Sequence, residues 1–131
     1  MNKNHLKTAI YFIIPLLYFT SCSKEKKCSD YKVGRFNYVL ENRPELIIRN
    51  DSIQIEINPI TKLEVHSSLE WISECEYIMT YETILNYPED VSGLIGQEIN
   101  VEILETTHNG YRVRATSSVI DDILEFRVSD K

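Results

Sequence analysis

The side chains that could do acid–base chemistry are four glutamates close in sequence to two aromatic residues: Glu70, Glu74, Glu76 and Glu82, near Trp71 and Tyr77. A pair of carboxylates beside aromatic rings can bind and hydrolyse a sugar. Glu76 and Glu82, however, are an even number of residues apart, so both would lie on the same face of a strand, and Tyr77 would lie on the opposite face. Glutamates on one face and an aromatic residue on the other are typical of a strand with one solvated face. We therefore predict that these glutamates form a polar surface and that the chain is not an enzyme.

The histidines and cysteines form no recognisable catalytic or metal-binding pattern. His66 lies beside Glu64 on a predicted polar strand face, and His108 lies in a predicted turn. A metal site needs three or four ligands at suitable spacing, and the sequence contains neither a Cys-x-x-Cys nor a His-x-x-x-His pair. Gly-x-Ser-x-Gly and phosphate-binding glycine motifs are absent as well. We predict neither a metal nor a cofactor.

The chain is acidic, with a formal net charge of −6 at pH 7. From Glu56 to Glu105 there are eleven acidic residues and one basic residue, Lys62. Such a surface repels the phosphate backbone of a nucleic acid, so we predict no nucleic-acid partner.

The first 21 residues have the pattern of a secretory signal peptide. A polar start with Lys3 and Lys7 precedes the apolar run Ala9–Phe19, and small residues follow. The run is eleven residues long, whereas a helix that spans a ~30 Å hydrocarbon core needs about 20. We predict a signal helix over 1–21 that is removed on export, rather than a helix of the mature domain.

The signal segment ends in Phe19-Thr20-Ser21-Cys22. This segment resembles the lipobox of bacterial lipoproteins, in which an aliphatic residue and two small residues precede the cysteine, although Phe19 departs from the usual leucine. The resemblance implies that Cys22 receives a diacylglyceryl group, that the chain is cut before it and that the new amino end is acylated. Several acyl chains anchor a protein stably to a membrane. Ordinary signal cleavage, with Cys22 as a free thiol, is the alternative.

Residues 22–27 are predicted to be the lipidated cysteine and a charged tether, which would hold a single domain of residues 28–131 away from the membrane. The lipoprotein resemblance, with Ser23 beside the anchor, implies the outer membrane as the destination. It leaves open whether the domain faces the periplasm or the cell surface.

Cys28 and Cys75 remain once Cys22 is assigned to the lipid. An exported domain lies in an oxidising compartment, where an even number of cysteines favours a disulfide. The bond would pin the start of the domain to a central strand. Free buried thiols and a metal site are the alternatives.

From Val33 onward, apolar and polar residues alternate with a period of two, which predicts half-buried strands. In segment 53–58, three isoleucines alternate with Gln54, Glu56 and Asn58, so the isoleucines are predicted to face the core. Asn109-Gly110 predicts a hairpin, since both residues tolerate the positive φ of a tight turn.

Eight strands are predicted, at about 33–41, 45–50, 52–58, 61–72, 75–84, 97–106, 111–118 and 119–128, with one helical turn in Pro88–Leu94. Short connections predict antiparallel neighbours. The predicted fold class is all-β: an eight-stranded antiparallel meander that forms a small barrel or half-barrel, after the N-terminal signal helix. The segment Cys28–Tyr31 is predicted to lie across one end.

Three segments of the mature chain, Cys28–Phe36, Arg49–Glu56 and Leu69–Tyr77, resemble a group of small uncharacterised Gram-negative lipoproteins. In that group a cysteine shortly precedes a Gly-x-Phe strand, an Arg-x-(x)-Ser/Thr-x-Gln hairpin follows, and Trp-x-x-x-Cys-x-Tyr comes later. The resemblance covers most of the mature chain. Its motifs are structural and imply no activity.

The predicted function is that of a membrane-anchored envelope lipoprotein that acts as a non-catalytic interaction or structural module. Its candidate interaction surface is the acidic set Glu64, Glu70 and Glu76, and its partner would be another envelope protein. A lipocalin-like carrier of a small apolar ligand is the alternative, and an inhibitor of a hydrolase is a further one. The volume inside the barrel separates the first two, and large inward residues predict a filled interior.

Overall fold

Residues 25–130 are described in the computed structural model, and eight of their segments are β-strands. The strands are β1 Gly34–Tyr38, β2 Leu46–Arg49, β3 Ile53–Ile57, β4 Glu64–Trp71, β5 Glu76–Leu85, β6 Glu98–Thr106, β7 Gly110–Thr116 and β8 Asp121–Val128. No strand extends more than one residue beyond its predicted range, so the prediction of an all-β chain with eight strands is confirmed.

The eight strands form a closed barrel in which every strand is antiparallel to its neighbours along the chain. The last strand, β8, returns to β1 and closes the circle through antiparallel pairs that include Tyr38 with Phe126. Closure removes the two edges that an open sheet would offer to other chains. The predicted meander is confirmed, and of the two predicted forms the structure is the barrel.

Residues 25–130 contain two short 3₁₀ turns, Cys28–Tyr31 and Ser92–Leu94. The second turn lies within the predicted helical segment Pro88–Leu94. No helix in this part of the chain combines the length and the hydropathy that a membrane crossing requires. The predicted signal helix over 1–21, the predicted lipid anchor Cys22 and its neighbour Ser23 lie outside the described residues.

The hairpin between β6 and β7 occurs where it was predicted, but the reason for its glycine is different. Neither Asn109 nor Gly110 is among the described residues with positive φ, so the prediction of a positive-φ turn was wrong. A Cβ atom at position 110 would lie only 2.2 Å from the carbonyl oxygen of Phe126 on β8. Glycine is therefore required at Gly110 because the backbone of the neighbouring strand approaches too closely for any side chain.

The two ends of the barrel differ. At the closed end, where β2, β4, β6 and β8 finish, the 3₁₀ turn Cys28–Tyr31 lies across the opening, as predicted. The Tyr31 hydroxyl donates a hydrogen bond to the carbonyl oxygen of Thr107, and the Tyr31 carbonyl accepts one from Arg49 at 3.0 Å. These two bonds tie the turn to the β6–β7 hairpin and to β2. We call the opposite end, where the same strands begin, the open end.

A disulfide joins Cys28 to Cys75 and fastens the 3₁₀ turn to the residue just before β5. This confirms the predicted pairing of the two cysteines. The backbone N–H of Lys27, at the end of the predicted tether, also contacts the barrel and donates to the Thr106 hydroxyl at 2.9 Å. The start of the domain is thus held against the closed end by one covalent bond and several hydrogen bonds.

Large side chains fill the closed half of the interior. Phe36, Ile103 and Tyr111 are each no more than 2% exposed. The ring centroids of Tyr31, Phe36 and Phe126 all lie between 5.0 and 5.2 Å from that of Tyr111. Aromatic rings at such distances add attraction beyond the burial of their surface. This half of the barrel matches the predicted filled interior.

Strand β3 faces the opposite way from its prediction. Gln54 is 6% exposed and bonded to Arg49 inside the barrel, and Glu56 accepts a hydrogen bond from the inward-facing Tyr38. Ile53, on the other face, is 46% exposed. The expectation that the isoleucines face the core was therefore wrong, because alternation defines two faces of a strand and does not say which one the barrel encloses.

Candidate ligand-binding cavity

A cavity of about 310 Å³ occupies the open half of the barrel interior. Nine apolar side chains supply much of its wall: Val65, Met79, Ile99, Val101, Val113, Ala115, Ile120, Leu124 and Phe126. Three tyrosines and five charged or amide side chains complete it: Tyr38, Tyr77, Tyr81, Arg43, Arg49, Gln54, Glu56 and Asp122. Apolar walls with a few polar groups are typical of small-molecule sites, whose usual volumes of ~300–1,000 Å³ begin near this value.

The floor of the cavity is formed by Arg49, the last residue of β2, together with Gln54 from β3. The side chain amide oxygen of Gln54 accepts hydrogen bonds from Nε and Nη2 of Arg49 at 3.0 and 2.8 Å. Nη2 also donates to the Tyr111 hydroxyl at 2.8 Å, and Nη1 donates to the Tyr31 carbonyl at 3.0 Å. These four hydrogen bonds hold the guanidinium in a fixed position. Arg49 is only 3% exposed, so the charged group is buried.

Every acceptor around Arg49 is electrically neutral. Among residues 25–130, no carboxylate lies within ion-pair distance of its guanidinium. Burial raises the pKa of Tyr77 and of Tyr111, so both phenols stay protonated at neutral pH and supply no negative charge. The guanidinium carbon lies 5.2 to 5.5 Å from the ring centroids of Phe36, Tyr77 and Tyr111, whose faces offer partial compensation. The floor therefore carries a positive charge without a counter-ion.

A second charged group lies at the mouth of the cavity. Arg43, in the loop between β1 and β2, places its guanidinium carbon 4.0 Å from the ring centroid of Tyr38. Its Nη2 atom lies 3.7 Å from Oε1 of Glu56, and its Nε atom lies 3.5 Å from Oε2 of Glu45. Unlike Arg49, this arginine is accompanied by carboxylates.

Glu56 is the acidic group inside the mouth. Its Oε1 atom accepts a hydrogen bond from the Tyr38 hydroxyl at 3.1 Å. Burial raises the pKa of Glu56 above its usual value, and the Tyr38 hydrogen bond and the Arg43 charge offset this effect only in part. Burial is also the main cause that raises the pKa of Tyr38. The Arg43 cation at the mouth is thus paired with two carboxylates, those of Glu45 and Glu56.

The three glutamates of the predicted interaction surface lie on the outside of the barrel. Glu64 begins β4, where it contacts the ring of His66, and Glu70 lies near the other end of the same strand. The two are about 20 Å apart at the usual rise of a strand. Glu76 begins β5, two residues before Ile78, the pairing partner of Glu70. The structure therefore brings Glu70 close to Glu76 and separates both from Glu64.

The described residues show no grouping of ligands suited to a metal. Within 25–130, no three side chains of histidine, cysteine, aspartate or glutamate are placed to hold a metal ion. The polar side chains of the cavity are two arginines, one amide, two carboxylates and three tyrosines. At the floor, the Arg49 guanidinium and the Gln54 amide nitrogen are hydrogen-bond donors, which suit an anion or a neutral polar group rather than a cation.

The cavity residues were not identified as a site from the sequence. In the sequence, Arg49 and Gln54 belong to a hairpin motif, and alternation places Gln54 on the predicted polar face of its strand. One signal was available: an arginine that ends a predicted strand of apolar residues, with a glutamine that starts the next strand. That signal becomes informative only when the inward face of β3 is known.

Comparisons with known proteins give no assignment: no family model, no curated protein and no solved structure matches the chain. The resemblance to small Gram-negative lipoproteins therefore stays a prediction from the sequence.

Proposed function

We propose that the mature chain is a lipid-anchored carrier of the bacterial envelope, which binds a small, mainly apolar molecule inside its barrel. The observation that supports this function is the cavity of about 310 Å³ in the open half of the interior. An eight-stranded barrel is only just wide enough to be filled by side chains or to hold one small ligand. The carrier was the alternative prediction from the sequence, and the cavity favours it over the interaction module.

The size of the inward side chains accounts for the cavity. In the closed half, the inward residues of β1 and β7 are Phe36 and Tyr111, both almost fully buried. Toward the open end, the inward residues of β7 become smaller, first Val113 and then Ala115. Small side chains leave space unfilled there because the closed ring of eight hydrogen-bonded strands fixes the width of the barrel. An apolar molecule that enters would gain free energy by leaving water.

Filling this space with a side chain is the direct test of the carrier function. We expect wild-type protein to increase the fluorescence of the neutral apolar probe 1-naphthylamine, which is small enough for the cavity, and the Ala115→Phe variant to lose most of this increase. Thr116→Phe places the same side chain on the next residue of β7, which lies on the outer face of the strand. This variant should bind the probe like wild-type. Thermal unfolding followed by circular dichroism would show that both variants are folded.

Two results would contradict the carrier. One is an absence of probe binding to wild-type protein, and the other is equal binding by Ala115→Phe and wild-type. The interaction module, with Glu64, Glu70 and Glu76 against an envelope protein, would then be the preferred function. That module and the hydrolase inhibitor are the competing predictions from the sequence.

The anchor of the proposed carrier is Cys22, supported by the signal-peptide pattern and the Phe19-Thr20-Ser21-Cys22 segment. We expect a bacterium that expresses the full chain to incorporate labelled palmitate into the protein. The extracted protein should then partition into the detergent phase. Cys22→Ser should abolish both, because serine has no thiol to receive the diacylglyceryl group. Ser21→Ala keeps a small residue before the cysteine and should behave like wild-type. Release of an unlabelled, soluble mature form from the wild-type gene would contradict the anchor.

A further inference from the structure

We propose that the molecule taken up by the cavity is an anion: a small apolar monocarboxylate whose carboxylate is bound by Arg49 and Gln54 at the cavity floor. This inference rests on the proposed carrier function and adds the chemical class of the ligand.

Arg49 carries a buried charge that no described carboxylate balances. A guanidinium is protonated at every physiological pH, and this one is 3% exposed and borders the cavity. A buried charge without a partner of opposite sign is costly, and no described carboxylate lies within ion-pair distance of it. A ligand carboxylate would supply the missing charge, and hydrogen bonds between ionised groups are stronger than those between neutral groups.

The floor of the cavity also has a surplus of hydrogen-bond donors. A guanidinium has five N–H groups, and the four hydrogen bonds of Arg49 leave one N–H on Nη1. The side chain amide nitrogen of Gln54 has two N–H groups, and its partner is the sulfur of Met79 at 3.4 Å, which is a weak acceptor. The Gln54 oxygen, in contrast, already accepts two hydrogen bonds. The floor can therefore donate further hydrogen bonds, as an anion requires.

The walls above the floor match an apolar tail. Val101, Val113 and Leu124 line the cavity and present only hydrocarbon. At the share of liquid volume that one water occupies, about 30 Å³, the cavity of about 310 Å³ corresponds to about ten waters. A chain of about ten non-hydrogen atoms fits this space, with its carboxylate at the floor and its tail toward the open end.

The acidic groups of the cavity do not balance Arg49. Glu56 is engaged by the Arg43 guanidinium and by the Tyr38 hydroxyl. Asp122 is an exposed residue at the start of β8, on the rim of the open end. Arg49 is therefore the buried charge of the cavity that no described carboxylate contacts.

A matched pair of ligands tests this inference on the unaltered protein. Isothermal titration calorimetry is carried out with octanoate and with 1-octanol, which share one tail and differ in charge. We expect octanoate to bind about tenfold more tightly or better, as one charge-assisted contact provides. Equal affinities would overturn the anion inference and leave the carrier function intact. If neither ligand binds, both the inference and the carrier function fail.

Three variants locate the carboxylate. Gln54→Glu supplies an internal carboxylate beside Arg49 with little change of shape, so octanoate affinity should fall about tenfold or more while octanol affinity is kept. Arg49→Met should remove the preference for octanoate. Arg112→Met removes the same charge from the outer face of β7, away from the cavity, and should keep the preference. If Gln54→Glu and Arg49→Met retain the wild-type preference, or Arg112→Met loses it, Arg49 is not the carboxylate site and the inference is overturned.

Discussion

Replacement of Cys28 and Cys75 together by alanine is expected to lower the free energy of unfolding by about 2–5 kcal/mol. The disulfide joins residues 47 apart in the sequence and so restricts the unfolded chain. It also holds the 3₁₀ turn across the closed end, where the ring centroids of Tyr31 and Tyr111 lie 5.0 Å apart. Urea unfolding of wild-type and variant, followed by tryptophan fluorescence of Trp71, measures the difference.

The reductant dithiothreitol provides the control for the double alanine variant. It should lower the stability of wild-type protein toward that of the variant and should leave the variant unchanged, since the variant has no bond to reduce. The expectation is contradicted if the double variant unfolds within about 0.5 kcal/mol of oxidised wild-type.

Replacement of Ile47 by alanine is expected to cost about 2–5 kcal/mol of stability, whereas the same change at Ile53 should cost less than about 1 kcal/mol. Ile47 lies on the inner face of β2 and is fully buried, so its removal leaves a cavity in a packed interior. Ile53 lies on the outer face of β3 and is 46% exposed. The pair therefore tests which face of each strand the barrel encloses.

The test is to measure the denaturant midpoints of the two isoleucine variants side by side with that of wild-type protein. Both changes remove the same atoms from residues of the same type on neighbouring strands, so strand propensity and side chain chemistry cancel in the comparison. Equal losses at the two positions, or a larger loss at Ile53, would contradict the inward face assigned to Gln54 and Glu56.

Strand positions were largely predictable because they depend on local alternation and on turn residues. Asn50 accepts hydrogen bonds from the backbone N–H groups of Ser52 and Ile53, and this turn needs no distant contact. Gly110 shows the limit of such local reasoning. Its hairpin was predicted correctly, but glycine is required there by the carbonyl oxygen of Phe126, which is distant in sequence.

The cavity floor could not be predicted in the same way. Gln54 and Ile53 are adjacent, and period-two alternation is satisfied equally whichever of them faces inward. Burial of Gln54 is favourable only because Arg49 is buried beside it and the two share hydrogen bonds at 2.8 and 3.0 Å. A polar pair of this kind depends on the pairing of β2 with β3 and on the Tyr111 hydroxyl from β7.

By itself, the sequence determined the all-β class and the eight strands in order, because alternation and turn residues act locally. It also predicted the pairing of Cys28 with Cys75, which the structure confirms. Only the tertiary structure decided that the sheet closes and that a cavity stays open at the end opposite to Cys28–Tyr31. Closure depends on β8 meeting β1, and the cavity depends on the sizes of side chains contributed by strands far apart in the chain. The position of Arg49 at the floor of that cavity follows from the same long-range packing.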